Sequence, residues 1–302
     1  MRGRRGTAVA SALLALLAAA GCGLGAGADV GDVEQTVTRE YGAVPIVQAS
    51  VAAKESDTVL RVLEGEAEIE TRYGGGFVHS IEGVAEENRG GDPYDWFFYV
   101  DGEEAEVGAA DYDVEGGERI WWDYRNWSAV NHAPAVVGSW PAPFVDGIGA
   151  ERYPVVVECL QQQAKACEMT HEALAREGVE VAAGSPEKAL RILVGPWRQV
   201  RSDSVARYIE AGPVESGVFA EFKGSDLRAL NENGAEAEDL GPGAGLVAAT
   251  SRYGGSPVWV VTGGSEEAVR AAAEALDAEQ LRNHYAVAVD DGEVVPLPLG
   301  TP

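Results

Sequence analysis

The chain has 302 residues, 46% of them hydrophobic and 24% charged, with 49 acidic against 23 basic side chains and a formal net charge of −26. So apolar a composition excludes an intrinsically disordered chain, and the length suits two domains. The surplus of carboxylates excludes nucleic acid as a partner, because phosphate binding rests on Lys and Arg.

The first 22 residues read MRGRRGTAVASALLALLAAAGC. Arg2, Arg4 and Arg5 precede an uncharged Ala/Leu run that closes on small residues and a cysteine. This is the layout of an export signal, and the run is too short and too rich in alanine for a spanning helix. "AAGC", ending at Cys22, resembles the bacterial lipobox, although Ala19 stands where that motif usually has Leu. Residues 1–21 are expected as a signal peptide and Cys22 as a lipidated N-terminus. Gly- and acid-containing residues 22–40 are expected as a flexible tether to the outer face of the cell membrane. Once Arg2, Arg4 and Arg5 are removed, 20 basic residues face 49 acidic ones, a net of about −29.

Residues 44–52 (VPIVQASVA) have strand content. SDTVLRVLEGE offers Ser56 or Asp57 as an N-cap for a helix with Val59, Leu60, Val62 and Leu63 on its apolar face. EAEIETRY and GFVHSIEGV follow as strands about a Gly74–Gly76 turn. DWFFYVDGEEAEV reads as a hairpin, with Asp101-Gly102 as its two-residue turn and a returning strand behind it. A Gly116-Gly117 turn leads into GERIWWDYRNW, the densest aromatic stretch of the chain. The segment 128–152, interrupted by Pro134, Pro141 and Pro143, reads as a linker to a second domain at 153–302.

These pieces carry a resemblance. Ile81-Glu82-Gly83, then Trp96 to Gly102, then Gly108 to Tyr112, then Gly117 to Trp121 or Trp122 follow the ordered pattern of the transcobalamin C-terminal-like (DUF4430-type) domain of bacterial surface proteins. The resemblance covers roughly residues 41–127 and implies a small β-grasp-like fold with one helix on a sheet. In the vitamin carriers that share it, the domain closes over cobalamin as one of two halves. The large helical domain that forms their other half has no counterpart in this sequence.

Strand alternation sorts the aromatic residues into two sets. Ile120, Trp122 and Tyr124 share one face with Trp96, Phe98 and Val100 of the neighbouring strand, or with Phe97 and Tyr99, depending on which face of each strand is the core. Trp121 lies on the opposite face from Trp122. A sheet covered by one helix buries a single side, so a second set of rings is expected to be at least partly exposed. Two readings follow: aromatic cross-strand packing, or a ring platform for a flat ligand or a partner protein. The candidate ligand-binding residues are Trp96, Phe98, Tyr99, Trp121, Trp122, Tyr124 and Trp127, with His132 beyond them as an imidazole able to ligate cobalt.

In the second domain, strands are expected at 153–157, 190–194, 218–222, 246–250, 258–261 and 285–289, and helices at 164–177, 200–211 and 265–278, the last capped by Ser265. Residues 154–194 and 258–289 read as βαβ units. The expected class is therefore α+β: a small β-grasp-like domain followed by a second α+β domain with βαβ units. Cys159 and Cys167 would lie about 12 Å apart in one continuous helix, beyond the roughly 4.4–6.8 Å of a disulfide. A bridge therefore needs a strand end, a turn and a helix start, which this segment allows. The disulfide is the expectation and two buried thiols the alternative.

No catalytic constellation emerges. HEALA lacks the second His of a zinc-protease helix, DYDVEGGERIWW lacks the closing Glu of a calcium loop, and GPGAG lacks the lysine of a phosphate loop. No enzyme activity, metal site or required cofactor is expected. A tethered lipoprotein that binds a small ligand, with cobalamin or a related corrinoid first, is the leading reading, and it is compatible with delivery to a transporter permease. A structural or adhesive surface module is the alternative.

Overall fold

The computed structural model describes residues 27–300 except 86, 150, 162–164, 185, 187 and 253–254. Cys22 and the export segment lie outside the described residues. No described helix is long and apolar enough to cross a membrane.

The first unit is built on β1 (Asp29–Arg39), β2 (Val44–Lys54), α1 (Val59–Glu66), β3 (Ile69–Arg72), β4 (Phe77–Ile81), β5 (Val84–Ala85), β6 (Glu87–Arg89), β7 (Asp92–Val100), β8 (Glu103–Glu104) and β9 (Arg119–Asn126). The main sheet has the order β2-β1-β9-β7-β6, with β8 on β7 and β3-β4-β5 forming a small separate sheet. β1 runs antiparallel to β2 and parallel to β9, which is antiparallel to β7. This is β-grasp connectivity, with α1 following the first hairpin. Val59, Leu60, Val62 and Leu63 of α1 bury against Val33, Val37, Trp96, Phe98, Ile120, Trp122 and Tyr124. The helix cap is Thr58, whose Oγ1 accepts from Arg61 N at 3.3 Å, while Asp57 accepts from Lys54 N at 2.9 Å and closes the preceding turn.

The expected tether at 22–40 is corrected from Asp29 onward: those residues form β1, a central strand with Val33 and Val37 fully buried. Its alternation of acids and apolar residues is that of a half-buried strand, which Gly-rich surroundings masked. The Asp101-Gly102 turn is as expected, with φ of 48° and 86° and Val100 paired to Glu103. The returning strand, however, stops after Glu104.

The second unit comprises α2 (Ala142–Val145), β10 (Val155–Cys159), α3 (Lys165–Arg176), β11 (Leu190–Pro196), α4 (Trp197–Val200), α5 (Pro213–Ser216), β12 (Ala220–Lys223), β13 (Asp226–Leu230), β14 (Glu236–Gly241), β15 (Gly245–Thr250), β16 (Val258–Gly263), α6 (Glu266–Glu274), α7 (Ala278–Leu281), β17 (Ala286–Asp290) and β18 (Glu293–Leu297). Its sheet has the order β10-β11-β16-β15-β17-β18. β10-α3-β11 is a βαβ unit of adjacent parallel strands. β16-α6-β17 is a split one, because β15 inserts between its strands and runs antiparallel to both. Ser265 caps α6 as expected, its oxygen accepting from Ala268 N. The helix expected at 200–211 is instead the end of α4 and a 3-10 turn at Ala206–Ala211, because Asp203 Oδ1 accepts from both Val205 N and Ala206 N and breaks the run. β13 and β14 were not foreseen, since β14 (EAEDLG) is almost entirely exposed and carries no apolar alternation.

Cys159, at the end of β10, is disulfide-bonded to Cys167 in the first turn of α3, with Cα atoms 5.8 Å apart. The strand end and the helix start that the spacing demanded are both present.

Candidate functional site

The aromatic residues occupy two layers, and neither is exposed. Trp96, Phe98, Trp122 and Tyr124 face α1, each at most 9% exposed, with Phe98 stacked on Trp122 at 4.9 Å and Trp96 tilted on Tyr124 at 5.2 Å. Tyr99 and Trp121 point the other way, and they too are buried, at 0% and 3% exposure. The expectation of an exposed second face is therefore corrected. The second domain covers that face: Tyr285, just before β17, meets Tyr99 at 5.6 Å, Trp121 at 5.3 Å and Tyr41 at 5.0 Å between ring centroids. Phe219 closes on Tyr41 from the same side. Among the candidate Trp, Phe and Tyr rings, Trp127 alone is substantially exposed, at 38%.

A buried polar chain threads this apolar contact. Asp123 accepts from Thr38 Oγ1 at 2.6 Å, from Gly42 N at 3.0 Å and from Tyr285 OH at 3.1 Å, while Tyr99 OH donates to Tyr285 OH at 3.2 Å and Trp121 Nε1 to Thr38 Oγ1 at 2.8 Å. Burial raises the Asp123 carboxyl to about 6 against the pull of those donors. Gly42, at φ 87°, is needed for close approach: a Cβ there would lie 1.7 Å from the Asn283 carbonyl oxygen. The two units therefore meet through a core-like surface.

The segment expected as a linker, 128–152, is packed as well. Val130, Ala133, Val136, Val137 and Trp140 are buried. Val136 N donates to Gly102 O in the first unit, and Val137 N to Tyr285 O in the second. This segment holds His132 beside a cleft of about 540 Å³ at the edge of the domain junction. Val100, Glu103, Glu104, Glu106 and Tyr112 line one side, and Tyr153, Lys188, Ser251 and Ser256 the other.

Glu104 organises the cleft wall. Its Oε2 accepts from Ala133 N at 2.7 Å and lies 3.7 Å from Nη2 of the fully buried Arg125. Its Oε1 lies 3.2 Å from His132 Nδ1. Arg125 is itself held by the Val130 carbonyl at 2.7 Å and sits 3.7 Å from the centre of the Phe97 ring. The Glu104 hydrogen bond raises the His132 pKa, with burial opposing it. It also assigns Nδ1 as the protonated nitrogen of the neutral ring and leaves Nε2 as the available donor atom. Glu103 is pushed up to about 7, first by burial and then by Glu106.

The order of elements and the helix-on-sheet packing now stand beside a family comparison. Residues 56–126 match the DUF4430 family, described as a domain of unknown function. The match runs from just before α1 to the end of β9 and leaves out β1 and β2, the two strands that complete the sheet. No curated protein matches the sequence.

Of the residues named from sequence, His132 alone both lines the cleft and presents an imidazole. Glu104 and Glu103 were missed. Their only local signal was their place directly after the Asp101-Gly102 turn, where a hairpin edge meets whatever lies beyond it. At Cys159 and Cys167, His171 brings a third donor atom within 4.8 Å of both sulfurs, which the disulfide already occupies.

Proposed function

We propose that the protein is an exported, lipid-anchored binding protein, not an enzyme, whose small-molecule ligand seats in the cleft between the DUF4430 domain and the α+β domain. The observation that carries this is His132, an imidazole oriented by the partly buried Glu104 carboxylate at the wall of a concave space of about 540 Å³, within the usual range of about 300–1,000 Å³ for ligand sites. A metal-binding imidazole commonly donates its second nitrogen to such a carboxylate. A corrinoid is accordingly the first ligand candidate, with His132 Nε2 as the group that would meet its cobalt. The transcobalamin-like resemblance supports this, because there too the ligand lies between two halves. In this chain the α+β domain takes the place of the missing helical half. Delivery to a transporter permease fits the tether.

A second reading, a structural or adhesive surface module, is favoured by the burial of the rings at the domain junction: they unite the domains and leave no platform.

Calorimetric titration of the mature chain from Gly23 onward with aquocobalamin and cobinamide separates the two. Saturable binding that His132→Ala weakens at least tenfold, with unchanged thermal unfolding, supports the first. Absence of heat at high micromolar ligand refutes the corrinoid, and binding untouched by His132→Ala refutes the site.

A further inference from the structure

We propose that the free edge of β2 is a pairing surface for a second copy of this chain, joining two DUF4430 sheets into one continuous sheet.

β2 is the outermost strand of its sheet, with β1 as its only strand partner. Before Lys54, its outward row of N–H and C=O groups makes no hydrogen bond to other described residues, whereas Lys54 N donates to Asp57 Oδ2 and Lys54 O accepts from Asp57 N. The residues before Lys54 offer an open edge of roughly 34 Å. Exposed edges are normally kept short or blunted by charge, proline or cover. The other sheet edges of this protein obey that rule. β6, at the far side of the same sheet, has three residues and carries Glu87 and Arg89. In the second domain β10 has five residues and carries Glu158, and β18 carries Glu293 and Pro296. β2 does not obey it. Between Pro45, near its start, and Lys54, its last residue, it holds no charged side chain, in a chain that is 24% charged.

The sequence of the strand selects the partner. IVQASVA, residues 46–52, reads nearly the same in both directions about Ala49. Antiparallel self-pairing centred there sets Val47 opposite Val51 and Gln48 opposite Ser50, within the regular stretch that follows the β-bulge at Ile46. Like residues meet across the seam and no charge faces its own kind, the arrangement a two-fold interface requires. Gln48, Ser50 and Ala52 are exposed on one face, while Val47 and Val51 pack against the domain core. For a chain with a net charge of −26, this strand, which holds no acidic side chain, is also where two copies approach without opposing carboxylates. Two-dimensional confinement on a membrane would raise the effective concentration of such a weak pair.

Sedimentation equilibrium of the mature, lipid-free chain over a range up to about 500 μM tests this, beside a Gln48→Lys, Ser50→Lys variant that sets ammonium groups opposite one another. The expected result is a mass that doubles with concentration for the native chain and stays at one copy for a variant with unchanged near-ultraviolet circular dichroism. A native chain that remains a single copy throughout overturns the proposal, as does a folded variant that pairs equally well. Should the double variant lose its fold, Ser50→Lys alone, at an exposed position, brings the two new ammonium groups onto the diagonal across the two-fold axis, and a smaller but measurable loss of pairing is expected; a folded single variant that pairs as well as the native chain overturns the proposal.

Discussion

Replacing Trp121 by Ala tests whether the second aromatic face is core or platform. The indole is 3% exposed, packs against Tyr99 at 5.5 Å and Tyr285 at 5.3 Å, and donates to Thr38 Oγ1. Truncation removes a buried ring from between two domains that cannot close the gap without moving the Thr38–Asp123–Tyr285 chain. Trp→Ala in such a setting costs about 3–5 kcal/mol, and the lost indole hydrogen bond places this one near about 4 kcal/mol. Trp127→Ala, at a ring 38% exposed, should cost less than about 1 kcal/mol. Urea unfolding followed by far-ultraviolet circular dichroism and by tryptophan emission measures both. The native chain should unfold in one transition, because the junction is packed as a core, and Trp121→Ala should lower the midpoint and separate the two probes. If Trp121→Ala unfolds at the same urea concentration as Trp127→Ala, the rings do not unite the domains and the second aromatic face is not core.

Burial raises Asp101 to about 8, Glu103 to about 7 and Asp123 to about 6. An unfolded carboxylate titrates near 4, so between about pH 4 and pH 8 the folded chain retains protons that the unfolded chain has released, and stability falls as pH rises through that window. His132, raised by Glu104, adds to the fall, while His284, lowered by burial, opposes it. Calorimetric melting points should drop by several degrees from pH 5 to pH 8.5. Asp101→Asn, which keeps the turn at a left-handed position that Asn tolerates, should flatten the upper part of that profile, and an unchanged slope would remove Asp101 as its cause. Replacing Cys159 and Cys167 by Ser should cost about 2.5 kcal/mol from the entropy of the short loop they close, read as a lower urea midpoint. A native chain equally stable with and without dithiothreitol would count against the bridge.

Much of the first domain was legible because its signals are local. The Asp101-Gly102 turn demands two residues at positive φ, and Ile120, Trp122 and Tyr124 share a face by the geometry of a strand alone. The cysteine spacing showed that a bridge needs a strand end and a helix start in place of one continuous helix. β1 was missed because its apolar residues alternate with acids inside a Gly-rich leader, and β14 because an exposed strand on a small sheet needs no apolar face.

The site was legible only in part. His132 stood out as an imidazole beyond the aromatic cluster, but nothing in its neighbourhood named Glu104, which lies 28 positions earlier and reaches it only because β8 pairs with the connecting segment at Glu103 and Ala135. The sequence by itself determined which residues share a strand face, where the chain turns and which cysteines could meet, since those follow from backbone periods of two and 3.6 residues. What covers each face was decided only by the tertiary structure. Tyr285 arrives at Trp121 from 164 residues away, and an alternation pattern records that a face is apolar without recording whether solvent, ligand or another domain lies against it.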